Sequence, residues 1–135
     1  MTDSVDAQTR SRVMSKIRGK NTRPEMVVRR LVFSLGFRYR LHRRDLPGTP
    51  DLVFAKRRKV IFVHGCYWHR HAGCKFARLP KSHLDFWLPK LQSNVERDAR
   101  NIIALGQSGW LVLTLWECEL SDIGRLRKRI CEFLT

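Results

Sequence analysis

Acidic residues are scarce in this chain of 135 residues: Asp and Glu number 12 against 27 Lys and Arg, a formal charge of +15 at pH 7. With the basic residues spread from Arg10 to Arg129 rather than gathered in a tail, the shortage points to a polyanionic partner, nucleic acid first and an anionic membrane second. Long apolar runs are missing too. No stretch is long enough to span a bilayer, and Met1 to Asp6 has neither the basic nor the apolar region of a secretory leader; the expectation is a cytoplasmic protein. There are only four cysteines, Cys66, Cys74, Cys118 and Cys131, and in a reducing compartment a group of them suggests a metal before a disulfide. Repeats, low-complexity tracts and obvious linkers are absent, so the length suits one domain with one core.

What is present reads as α-β-β-β-α-β-α, the pattern of a mixed sheet flanked by helices. Residues 1–20 are a basic arm or short helix suited to lying along phosphates, and 21–135 are the domain proper. Thr22-Arg-Pro-Glu25 starts a helix, with Thr22 as N-cap, Pro24 in the first turn and Glu25 completing a capping box; its stripe is Val27, Val28, Leu31, Val32 and Leu35, and Gly36 stops it. Phe37 to Leu41 alternates as a half-buried strand. Asp51 to Ala55 and Val60 to His64 flank Lys56-Arg-Arg-Lys59 as a hairpin. A symmetric loop sets Ala55 against Val60 and Asp51 against His64, so that a carboxylate and an imidazole meet at its open end. Ser82 to Asp85 caps a turn bearing Phe86 and Trp87. Pro89 then opens a long helix with Leu91, Val95, Ile102 and Leu105 inward. Asp98 falls on that stripe, where a carboxylate needs a partner. Trp110 to Trp116 reads as a strand buried on both faces, and a last helix begins near Ser121 or Asp122 with Ile123, Leu126, Ile130, Phe133 and Leu134 inward.

Thiols and imidazoles crowd one irregular stretch, His64 to Cys74, and Cys118 waits at the end of the last strand. A structural zinc ion takes four tetrahedral ligands, usually thiolate with some imidazole; Cys66, His71, Cys74 and Cys118 satisfy it, with His71 rather than His69 as the imidazole. Cys131, within an apolar helix, reads as an ordinary buried thiol. Pro50-Asp51, ten residues, then Phe62-Val63-His64 has the spacing of the nuclease pattern Pro-Asp, spacer, Asp/Glu-X-Lys, whose carboxylates hold Mg²⁺ against a scissile phosphate. Phe62 and His64 replace its second acid and its lysine. Tyr67, Trp68 and Trp87 are candidates to wedge between base pairs, while Trp110 and Trp116 belong to the core.

Leu46-Pro-Gly-Thr-Pro-Asp51, Val63-His-Gly-Cys-Tyr-Trp-His69, Phe86-Trp87, Asn94-Val-Glu-Arg-Asp98 and Trp116-Glu-Cys118 closely resemble the very short patch repair endonucleases. The resemblance implies a restriction-endonuclease-like fold in a bacterial, DNA-associated enzyme. The implied activity is a nick on the 5′ side of the thymine in a T·G mismatch left by deamination of 5-methylcytosine. It implies Asp51 as the Mg²⁺ carboxylate with the Val63 carbonyl as a further ligand, His69 as general base, His64 acting on the phosphate or leaving group, and Glu25 and Asp98 orienting or hydrating these groups. Tyr67, Trp68 and Trp87 match its three intercalating aromatics. Arg70, Lys75, Arg78 and Lys81 are candidate phosphate contacts. A C5-cytosine methyltransferase and downstream repair proteins are implied as functional partners, and a monomer suits a single nick. Members often carry threonine where Val63 stands, a change that a backbone ligand tolerates. The alternatives are a site-specific or mobile-element endonuclease with no mismatch requirement, and a noncatalytic zinc-containing DNA-binding module.

Overall fold

The computed structural model describes residues 22–77 and 82–135, without the side chain of Phe76. The basic arm expected over residues 1–20 lies outside the described residues. Helix α1 (Arg23–Ser34) starts as its residues dictate: Thr22 is the N-cap, and its hydroxyl accepts from the Glu25 N–H at 3.4 Å. Val28, Leu31 and Val32 are buried, and Gly36 ends the helix with φ of 95°. The strand expected over Phe37 to Leu41 shrinks to β1 (Arg40–Leu41). Strands β2 (Leu52–Phe54), β3 (Lys59–His64) and β4 (Leu111–Trp116) complete a sheet of order β1-β2-β3-β4. The first two pairings are antiparallel, while β3 and β4 run parallel and are joined through α2 (Leu84–Gln107). Helix α3 (Ile123–Leu134) closes the chain, its N-terminus capped by Asp122, whose carboxylate accepts from the Arg125 N–H.

The core lies on both sides of this sheet. On one face Val28, Leu31 and Val32 of α1 and Leu126, Ile130 and Leu134 of α3 pack on Leu52, Phe54, Ile61 and Leu115. On the other, Leu105 and Trp110 pack on Val53, Val60 and Phe62. Alternate residues of β2 and β3 thus feed opposite layers, which is the period of two that strands impose.

Five further expectations need correction. The hairpin register is Leu52↔Ile61, Val53↔Val60 and Phe54↔Lys59, two residues off the symmetric expectation. The loop is Ala55 to Arg58, a 3-10 turn closed by Arg58 in left-handed backbone (φ 56°), and it begins one residue earlier than a loop centred on the basic run. The slip leaves each residue on its expected face but takes Asp51 out of register with His64. Strand β4 is an edge strand among the described residues: Leu111 is exposed and only Leu115 of the strand is fully buried. Helix α2 is continuous from Leu84, with Pro89 at its sixth position rather than in the first turn. Its stripe is broken as well. Leu91 and Leu105 are buried, but Val95 and Ile102 are exposed. Between the two buried leucines, Asn94, Arg97, Asp98 and Asn101 line a cavity, so the middle of α2 borders open space instead of resting on the sheet. Ile123, expected inward, is exposed at the start of α3.

Candidate active site and metal centre

Because β3 and β4 are parallel neighbours with His64 paired to Trp116, the segments leaving their C-terminal ends emerge side by side. Here lies a cavity of about 1060 Å³, bounded by α1, the Gly48–Asp51 turn, the β3 exit and one face of α2. Gly48 is required at its rim: with φ of 77°, a Cβ there would stand 2.9 Å from Asn101 Nδ2.

Two clusters share the cavity. In the first, the Asp51 carboxylate accepts from the Val63 N–H at 2.7 Å, and Asp51 and Glu25 face one another. Burial, reinforced by the Glu25 charge and only partly offset by the Val63 N–H, pushes the Asp51 carboxyl up to about 7. Glu25, expected to complete a capping box, keeps its N–H on Thr22 while its carboxylate meets Arg29 at 3.2 Å and His42 at 2.8 Å. His42 is a member that the sequence did not disclose. It lies in the irregular segment after β1, and Glu25, His42 and Asp51 each offer one donor atom within 4.8 Å of the others.

In the second cluster, His69 Nδ1 lies 2.6 Å from Asp98 Oδ2, and the His64 and His69 rings stack at 3.8 Å and 7°. Asp98 thus has the partner its place demanded, although it faces the cavity rather than the core. With Nδ1 donating to the carboxylate, Nε2 of His69 is left as the nitrogen able to accept a proton. His64 is buried between Phe62, Trp116 and His69; burial first, then the neighbouring His69, holds it down at about 4, so it is neutral near pH 7. Asp51 and His64 line one cavity but belong to different clusters, so the direct meeting expected across the hairpin is not made.

Cys66, His71, Cys74 and Cys118 come together as expected, with one donor atom of each within 4.8 Å of the others. Cys66 Sγ and Cys118 Sγ lie 3.7 and 3.4 Å from His71 Nδ1. Zinc bonds of about 2.3 Å to sulfur and 2.0–2.1 Å to nitrogen put tetrahedral S···N neighbours at about 3.6 Å, so the donor set fits zinc. Burial, with the neighbouring thiols, pushes Cys66 up to about 12 and raises Cys118, a cost that a bound dication reverses. The His71 ring lies flat on Trp116 at 4.2 Å. Cys131 stands apart in α3.

The expected aromatics form a row: Tyr67 on Trp68 at 5.1 Å, Trp68 on Trp87 at 5.9 Å, and Phe86 on Trp87 at 5.2 Å. Asn94 Nδ2 donates to the Trp68 carbonyl and fixes the row against α2. The Glu117 carboxylate accepts from the Cys66 N–H, a second brace that the sequence left unmarked. Of the candidate phosphate contacts, Lys75 is exposed, while the Arg70 guanidinium lies 5.9 Å from the Tyr67 ring centre. Arg78 and Lys81 lie outside the described residues.

The family model described as DNA mismatch endonuclease Vsr matches residues 2–75. The Type II nicking enzyme V.XorIIP of Xanthomonas oryzae pv. oryzae is 54% identical over 134 residues, covering 99% of this chain and 98% of its own. The Type II nicking enzyme V.NmeAIP of Neisseria meningitidis is 44% identical, with 96% and 92% covered. The DNA mismatch endonuclease Vsr of Escherichia coli is 42% identical over 120 residues, with 89% and 76% covered. The α/β architecture with its mixed sheet fits the restriction-endonuclease-like fold.

Proposed function

Because the chain belongs to the family of the DNA mismatch endonuclease Vsr, we propose that it is a DNA endonuclease that nicks one strand of a duplex, on the 5′ side of the thymine in a T·G mismatch. The observation that carries this reading is the convergence on one cavity of a carboxylate pair, a carboxylate-oriented histidine and a row of aromatic rings.

In this reading Asp51, with the Val63 carbonyl, holds Mg²⁺, which supplies Lewis acidity toward the phosphate. The residues fit: a buried and a half-buried carboxylate facing each other are the donor set that a hard dication takes. His69 removes a proton from the attacking water through Nε2, and Asp98 fixes its tautomer and balances the imidazolium that forms. His64, neutral in the DNA-free protein, takes up charge beside a phosphate and acts on it or on the leaving oxygen. Glu25 orients the cation and its waters. Cys66, His71, Cys74 and Cys118 hold a structural zinc. Tyr67, Trp68 and Trp87 open the base stack beside the mismatch, where weak pairing lowers the cost. The lesion arises from deaminated 5-methylcytosine, which links the enzyme to a cytosine methyltransferase, and a single nick needs one copy of the chain. Among the described residues no helix is long and apolar enough to cross a membrane.

The test incubates the protein and Mg²⁺ with duplexes carrying T·G, T·A or C·G at one position and maps the break. A nick 5′ of the thymine only in T·G duplexes is expected. Equal nicking of matched DNA selects a site-specific endonuclease instead, and binding with no incision in any sequence context selects a DNA-binding module.

A further inference from the structure

His42 lies against the two carboxylates of the first cluster. Its side chain is only 10% exposed, and its backbone N–H donates to the Asp51 carbonyl at 3.3 Å. The residue adopts left-handed backbone, φ 48°, which non-glycine residues rarely do and which here aims the ring at the cluster. Nε2 stands 2.8 Å from Glu25 Oε2 and 3.9 Å from Asp51 Oδ1. Although fully buried, this nitrogen makes no hydrogen bond among the described residues, so the 2.8 Å approach is close without being aligned as an N–H···O bond. A buried ring nitrogen placed in this way is better satisfied by giving its lone pair to a cation than by pointing a proton past an oxygen.

The neighbours agree. Arg29 holds Glu25 from the α1 side at 3.2 Å, and the Val63 N–H holds one Asp51 oxygen, so both carboxylates are fixed in place. Donor atoms of Glu25, His42 and Asp51 already lie within 4.8 Å of one another. Opposite ligands on one ion with bonds of about 2.0–2.2 Å are about 4.4 Å apart, so a small movement closes the three on a single cation.

We propose that His42, through Nε2, is a ligand of a divalent cation shared with Glu25 and Asp51, and that this nitrogen tunes the site toward Mn²⁺ over Mg²⁺. The proposal rests on reading Asp51 as a cation ligand and adds to it a neutral nitrogen donor. Mg²⁺ favours oxygen ligands, whereas imidazole suits the first-row transition ions.

The opposing view makes His42 a buried imidazolium that neutralises the two carboxylates. The two views predict opposite signs. Losing a ligand weakens cation binding, whereas losing a resident positive charge strengthens it.

The test titrates Mn²⁺ into the zinc-loaded full chain and follows the bound ion by electron paramagnetic resonance, with electron spin-echo detection of coupling to ¹⁴N. A directly coordinated nitrogen is expected in the unaltered protein. His42→Gln should abolish it and weaken Mn²⁺ binding about tenfold or more. His69→Gln should retain it, which excludes the neighbouring histidine cluster as the source. Isotopic replacement by ¹⁵N-histidine in the unaltered protein must change the coupling, so the answer does not depend on a variant that folds. Mn²⁺ bound in an Asp51-dependent way but without nitrogen coupling, or bound more tightly by His42→Gln, overturns the proposal and leaves the Asp51 site standing. Mn²⁺ binding indifferent to Asp51→Asn overturns the cation reading itself.

Discussion

Asp98→Asn keeps the volume of the side chain and removes its charge from His69. The 2.6 Å contact between His69 Nδ1 and Asp98 Oδ2 becomes an ion pair only when His69 has taken a proton, so the lost stabilisation falls on the reacting state. Charges centred about 4 Å apart at an effective dielectric of about 20 attract by about 4 kcal/mol. The two side chains are 25% and 19% exposed, and screening brings the figure to about 2–3 kcal/mol. At 1.36 kcal/mol per decade this is a loss of about 30- to 150-fold in the nicking rate. The amide also offers Nδ1 either an acceptor or a competing donor, so part of the population adopts the wrong tautomer, which deepens the loss. Single-turnover nicking of a T·G duplex, with the duplex dissociation constant measured separately, resolves the effect. The rate constant should fall while duplex affinity stays within about threefold and the melting temperature within about 3 °C. A rate within threefold of the unaltered enzyme, or a defect confined to affinity, would refute the orienting role of Asp98.

Asp51 has a folded pKa raised from 3.8 to about 7, so without added Mg²⁺ its contribution to stability is greatest below about pH 4 and is lost as pH rises through 7. Asp51→Asn should therefore melt higher than the unaltered protein at pH 8 without Mg²⁺, show no such advantage at pH 4, and be inactive; equal melting curves at both pH values would contradict the burial argument. Cys118→Ser should release close to one zinc per chain, measured with a chromophoric chelator, and lower the melting temperature by about 10 °C or more, corresponding to about 3 kcal/mol. Full zinc content in that variant would exclude Cys118 as a ligand. Trp68→Ala should weaken productive binding of a T·G duplex by about 10- to 100-fold, from about 1–3 kcal/mol of lost stacking, with little change in melting temperature. A loss of stability without a loss of binding would return Trp68 to the core.

Sequence reading succeeds where a local signal has one physical meaning. Thr22 caps the helix it precedes, and three thiols with an imidazole at the end of adjacent strands converge on one point. It fails where a long-range fact decides. The register depended on whether the hairpin turn begins at Ala55 or Lys56, and a left-handed Arg58 settles it without a glycine to announce it. The apolar run of β4 gives no sign that one edge is left unpaired among the described residues, and the stripe on α2 cannot report that the middle of the helix borders a cavity. His42 was illegible for the same reason as Arg58: its place follows from a backbone conformation that histidine seldom adopts.

The turn after β3 ties together functions that its sequence only lists side by side. His69 N–H donates to the Gly65 carbonyl and His71 N–H to the Cys66 carbonyl, so Cys66 to His71 is wound too tightly for its members to move separately. Trp68 and His69 are consecutive, yet one ring meets Trp87 while the other meets His64 and Asp98. On either side of them stand Cys66 and His71, and Cys118 joins both from the neighbouring strand exit. A bound zinc would therefore fix the wedge and the base with one set of bonds. Trp68→Ala and Asp98→Asn should separate binding from chemistry, whereas Cys118→Ser should lose both together. If zinc loss slowed nicking while leaving mismatch binding intact, the turn would have to be two independently held pieces, and the brace would belong to the histidines alone.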